Sequence, residues 1–311
     1  MRPAVSVLLL TTLTGFAYGL LAWLGTYAAL GHLPATPRFG VGLIALALGL
    51  ASIGLASSTL HLGRKERAWR AFSQWRSSWL SREGVAAVLT YPVAIAFALA
   101  IYRDSGGIAV RLLGAAAVAA SLITVYCTSM IYASLKPIRQ WHNAHTAPGY
   151  LIYAIFSGAV LLALLNAAVL GTPGAAAGAS VAAAAVALLT KRAYWRHIDA
   201  QTPLATLASA IGLPQGSEVK PLDAPHFTEN YVLREMGFTV ARRHAVKLRQ
   251  ISLALGFGAP LGLSFLACLS LLPLVTTAAA LICAALGLLT ERWLFFAEAT
   301  HVSALYYGRR I

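Results

Sequence analysis

The 311-residue chain is predicted to be an all-α integral membrane protein, a bundle of eight transmembrane helices with both termini cytoplasmic. Three observations point there. The composition is 59% hydrophobic and only 11% charged, against about 45–50% and about 25% in a soluble domain. Mean hydropathy is +0.71. The apolar residues fall in continuous runs near the length of about 20 residues that spans a bilayer. A disordered chain lacks this apolar mass. An ordinary soluble enzyme has no core large enough to hide it. A membrane β-barrel would show alternating segments of about ten residues instead.

The first span is expected near residues 4–30. Its apolar run exceeds the roughly 7–15 residues of a secretory signal, so it is read as retained. A second run covers 39–62, a third starts after Glu83 and ends near Tyr102, and a fourth spans 109–135. The fifth runs from Tyr150 to Leu170, and a Gly-Thr-Pro-Gly turn at 171–174 separates it from a sixth at 175–191. The seventh covers about 251–272; Pro273 and the following Thr pair break it from the eighth, about 275–297.

These spans make one membrane domain, 1–311, with two notable loops. The loop 63–82 is basic and rich in tryptophan. The loop 192–250 is the one sizeable polar segment. Its middle holds Pro203, Pro214, Gly216, Pro221 and Pro225 and should be irregular. From about Thr228 to Gln250 it reads as an amphipathic helix suited to partner docking. Short matches, Leu-Thr-Lys-Arg at 189–192 and Leu-Thr-Glu-Arg at 289–292, are too brief to argue duplication.

Charge gives the orientation. The formal net charge is +14. With eight spans both termini share a side with the even-numbered loops, and of the 24 Lys+Arg only Arg38, Arg103 and Arg111 fall on the other. Positive charge is retained in the cytoplasm during insertion, so the basic side is expected to be cytoplasmic. A basic docking face would bias the count the same way. In a bacterium this places the chain as a multi-pass protein of the cytoplasmic (inner) membrane. An anionic membrane surface or an acidic protein suits this charge better than nucleic acid.

The ionisable residues are expected at the ends of the spans rather than in their middles. This disfavours a proton pump or an ion-coupled transporter, which needs polar groups across the bilayer. The groups gather where the helices meet the basic side: His61, Glu83, His142, His145, Glu291, Glu298 and His301. Glu291 and Glu298 are two turns apart on one helix face. A quinone headgroup suits such a rim. Its tail prefers lipid, its carbonyl oxygens take hydrogen bonds, and its redox change moves two protons through a nearby His or carboxylate. The competing reading is an interfacial belt of snorkelling cations and anchoring aromatics. Cys127, Cys268 and Cys283 lie far apart in apolar runs and suggest neither a disulfide framework nor a metal site. The histidines sit at span ends or in loops, a poor pattern for haem ligation, and no haem or other metal is expected.

The run Ser58-Thr59-Leu60-His61-Leu62-Gly63-Arg64, then Ala68-Trp69-Arg70 and Trp75-Arg76-Ser77-Ser78-Trp79-Leu80-Ser81-Arg82-Glu83, resembles the dimethyl sulfoxide reductase anchor-subunit family. So does Glu291-Arg292-Trp293-Leu294-Phe295-Phe296. The resemblance implies the membrane anchor of a three-part molybdenum enzyme, carrying no haem and exchanging electrons with exchangeable ubiquinone or menaquinone. Molybdopterin and the iron–sulfur clusters would reside in two partner subunits, a catalytic one and an iron–sulfur one, on the cytoplasmic face. It ties quinone handling to His61 and Glu83, with Arg64, Trp75, Arg76 and Ser81 matching the surrounding motif. Arg64 and Arg76 would orient a carbonyl or hold negative charge on the ring. Glu291, Glu298 and His301 are secondary candidates. Sulfite oxidation and dimethyl sulfoxide reduction both occur among such complexes, and the basic tryptophan loop resembles the sulfite-oxidising branch at least as well. A transporter for an anion or small metabolite, and a passive anchor with no quinone site, remain the alternatives.

Overall fold

A computed structural model describes residues 3–32, 36–59, 64–104, 106–202, 205–214, 216–219, 222 and 240–307, without the side chains of residues 65, 240–243, 306 and 307. Among these residues there is no β-strand, and eight helices are long and apolar enough to cross a membrane. They are α1 (Val5–Ala29), α2 (Pro37–Thr59), α3 (Trp79–Arg103), α4 (Ile108–Ala133), α5 (Thr146–Leu170) and α6 (Ala175–Asp199). Next, α7 runs from Val240–Leu253 through a π-helical turn at Ala254–Gly258 into Ala259–Cys268, and α8 is Pro273–Ala297. Two 3₁₀ segments, Lys65–Phe72 and Val302–Tyr307, and one helical turn, Leu207–Ala210, complete the described elements.

The ends have local causes. Gly171, at φ +73°, caps α5 in the left-handed conformation that glycine adopts without steric cost. The break before α8 differs from the expectation. Pro273 is its first residue, and Thr276 and Thr277 already donate to the carbonyls of Leu272 (3.1 Å) and Pro273 (2.6 Å). The turn instead falls on Ser270 and Leu272, at φ +57° and +45°. Helix α6 runs two turns beyond its apolar stretch, to Asp199, which shortens the loop expected from residue 192. Within the expected helix 228–250, residues 228–239 lie outside the described residues, and the chain is helical from Val240.

Two helices form the axis of the bundle. In α1 and α5, 61% of the residues of the apolar window are buried, against 28–33% in the other six. Water drives no association between helices in lipid, so close packing must. The crossings accordingly use glycine. A Cβ added to Gly19 would lie 1.8 Å from the Ala154 carbonyl oxygen, and one on Gly158 would lie 2.1 Å from the Gly19 carbonyl carbon. Gly25 meets Gly114 between α1 and α4, and Gly256 in the π-helical turn meets Gly287 of α8. Backbone touches backbone at each point.

One end of the bundle gathers the starts of α1, α3 and α5 with the ends of α2, α4, α6 and α8. Ser57 Oγ donates to the Ser6 carbonyl (3.0 Å), Trp141 Nε1 to Phe295 (2.8 Å), and the Tyr194 hydroxyl to Gln140 (3.0 Å). Tyr132, Trp141, Tyr150, Phe295 and Phe296 interlock there, with ring centroids 5.2–5.8 Å apart.

Candidate functional site

Glu83 lies one turn inside α3 and is buried. Its Oε1 accepts a hydrogen bond from the Thr128 hydroxyl of α4 at 2.6 Å. Thr128 also bonds the Thr124 carbonyl (3.1 Å), and Thr124 pairs with Thr90 of α3 (3.1 Å). A ladder of hydroxyls thus joins α3 to α4, with the carboxylate as its rung nearest the membrane rim. Among the described residues Glu83 forms no ion pair.

The loop before α3 is tied to that helix. Ser81 is buried and its hydroxyl donates to the Ala71 carbonyl. Arg82 donates from Nε to the Trp75 carbonyl (3.0 Å) and from Nη2 to the Arg76 carbonyl (2.7 Å), while stacking on Trp79 at 4.2 Å. Phe72 packs on Gly84. Arg64, Trp75 and Arg76 are exposed, and the Arg76 guanidinium lies 5.5 Å from the Trp75 ring centre. The structure therefore fixes Ser81 and Glu83 in the protein and leaves Arg64, Trp75 and Arg76 on the surface above them. His61 lies outside the described residues. Arg82, absent from the expected set, clamps the loop; its place between Ser81 and Glu83 in the motif is the signal that could have found it.

The secondary candidates separate. Glu291 of α8 is fully buried and committed. It accepts from Lys191 Nζ of α6, and its other oxygen accepts from Arg292 Nε at 2.5 Å. Lys191 also lies over the rings of Tyr194 (4.1 Å) and Trp195 (4.6 Å), and Arg292 over Tyr150 (4.1 Å). This corrects the expectation that ionisable groups avoid the spans. Lys191, Glu291 and Arg292 are inside membrane helices that outlast their apolar runs, and each charge is paired as burial demands. Glu298 caps α8, accepts from Arg249 Nε (2.7 Å) and Trp195 Nε1 (3.2 Å), and shares Arg249 with Asp199 (2.7 Å). His301 is partly exposed, with Nδ1 bonded to the Ser303 hydroxyl (2.7 Å).

A cavity of about 30 Å³ lies between the two buried groups. Its wall includes Thr12 of α1, Thr128 beside Glu83, Tyr150 of α5 and Arg292 beside Glu291. The hydroxyls of Thr12 and Tyr150 are buried without a well-formed hydrogen bond.

The chain is 35% identical, over 99% of each chain, to the anchor-length C component of the sulfite dehydrogenase of Allochromatium vinosum. Residues 5–298 match the model of the family described as DMSO reductase anchor subunit (DmsC). Eight apolar helices, the paired polar end of the bundle and this match along nearly its whole length make the chain a member of the DMSO reductase anchor subunit family.

Proposed function

We propose that this chain is the quinone-reactive anchor of a molybdenum iron–sulfur oxidoreductase that oxidises sulfite. The observation that carries the reading is Glu83: a buried carboxylate one turn from the rim, held by a hydroxyl and by no cation among the described residues. A carboxylate locked in an ion pair exchanges protons reluctantly. One held by a single hydroxyl serves as a proton donor or acceptor for a carrier docked at the lipid edge. His61 completes the pair on the family resemblance. Sulfite as the partner's substrate rests on the name of the Allochromatium relative.

Sulfite and water give sulfate, two protons and two electrons. The electrons pass through the partner's clusters, and quinone takes them with two protons to become quinol. Glu83 supplies one of these. The exposed Arg64, Arg70, Trp75 and Arg76, held against α3 by Arg82, form part of the face on which the cytoplasmic partners sit. Positive charge there would steer an acidic partner.

The test is purification in mild detergent followed by two assays. The chain should co-purify with a molybdopterin protein and an iron–sulfur protein, and the complex should reduce a short-chain ubiquinone with sulfite. Glu83→Gln should abolish this while sulfite oxidation with ferricyanide continues. Full quinone-linked turnover in both His61→Ala and Glu83→Gln complexes overturns the site.

A further inference from the structure

The small cavity joins two charged groups that the sequence keeps apart. Thr128, the hydrogen-bond donor to Glu83, and Arg292, the donor to Glu291, share its wall. Buried hydroxyls are nearly always satisfied by protein or ordered water, yet Thr12 and Tyr150 lack a well-formed bond. A water needs about 10–15 Å³ of accessible volume and two to four polar neighbours. The cavity's roughly 30 Å³ accommodates about two waters among three hydroxyls and a guanidinium.

Charge gives this site a use. Lys191 and Arg292 carry two positive charges against the single negative charge of Glu291, all buried. The trio has an excess of one positive charge in a medium where charge is weakly screened. The nearest uncommitted carboxyl across the cavity is that of Glu83.

Resting on the quinone reading above, we propose that the cavity is an ordered-water site coupling Glu83 to the Lys191–Glu291–Arg292 trio, and that Arg292 is a positioning residue for proton delivery. When reduced quinone takes a proton from the Glu83 carboxyl, the O–H bond breaks and a buried carboxylate remains. The surplus positive charge, relayed through water and the Thr128 hydroxyl, stabilises it until a proton returns from the rim. The second proton of each quinol comes from the same rim. No bond within the trio breaks.

The experiment uses the intact complex reconstituted in liposomes, with sulfite as donor and decylubiquinone as acceptor. Thr12→Val combined with Tyr150→Phe removes two cavity hydroxyls and no charge. The expected result is a fall of about tenfold in quinone-linked kcat, the rate equivalent of losing one hydrogen bond to a charged group. KM stays near that of the parent, the solvent deuterium isotope effect rises, and ferricyanide-linked turnover is unchanged. In a Glu83→Gln background the pair adds no further loss. Thr12→Val alone guards against a folding defect: it should shift the infrared carboxyl band that disappears in Glu83→Gln. An unchanged kcat and isotope effect in the pair, an equal loss on top of Glu83→Gln, or an unshifted carboxyl band overturns the coupling while leaving the quinone site standing. Full quinone-linked turnover in Glu83→Gln overturns both.

Discussion

Two buried carboxylates lie at the same end of the bundle and are treated in opposite ways. Glu291 is gripped by Lys191 and Arg292 and surrounded by Tyr150, Tyr153 and Phe295. Glu83 has a single hydroxyl from Thr128. Full pairing holds a charge in place and makes it structural. Sparse pairing leaves a group able to change charge, which suits proton exchange. Glu291 is therefore a structural group joining α6 to α8, and the exchangeable proton belongs to Glu83.

The largest effect should come from breaking the structural group. Glu291→Leu leaves two buried cations facing each other and should cost about 3–5 kcal/mol, read as loss of thermal stability in detergent. Adding Lys191→Met should recover part of that stability. If the single change proves neutral, the contrast between the two carboxylates disappears. Next comes Glu83→Gln, whose amide oxygen still accepts from Thr128. Stability should stay within about 1 kcal/mol, while quinone-linked turnover falls by about 100-fold, the scale of a lost general acid. An equally destabilised Glu83→Gln would make it structural too. Arg82→Met releases the carbonyls of Trp75 and Arg76 at an exposed site. It should cost about 1 kcal/mol, seen as faster tryptic cleavage of the loop in the isolated complex. Glu298→Gln should do least, below about 1 kcal/mol, because Asp199 still holds Arg249; thermal unfolding beside the Glu291→Leu complex gives the comparison.

The helices are readable from the sequence because hydropathy is a local property. Each of the eight spans appears as a run, and the turn at 171–174 is marked by its own glycines. The end of α6 is not readable. Lys191 and Arg192 follow an apolar run, and two charges in succession look like a boundary. They stay helical because Lys191 meets Glu291, 100 residues away and on another helix. A pairing of that kind is tertiary and leaves no periodic trace. Within the site, the short motif from Trp75 to Glu83 identifies Ser81 and Glu83, which the fold buries. It does not distinguish them from Arg64, Trp75 and Arg76, which belong to the same stretch and face outward. The role of Thr128 depends on α4 crossing α3, which no spacing along the chain encodes.

The axial position of α1 bears on how the protein is made. This segment leaves the ribosome first, yet its neighbours include α4, α5 and α8, which are translated much later. Its Gly19 notch is filled only when Gly158 arrives. Until then lipid must stand in for the missing helices, and a nascent chain halted after the fourth span holds an open seam along its first helix. Quality control of a stalled or truncated product therefore has a defined surface to recognise: the uncovered glycine face of the helix that was inserted earliest.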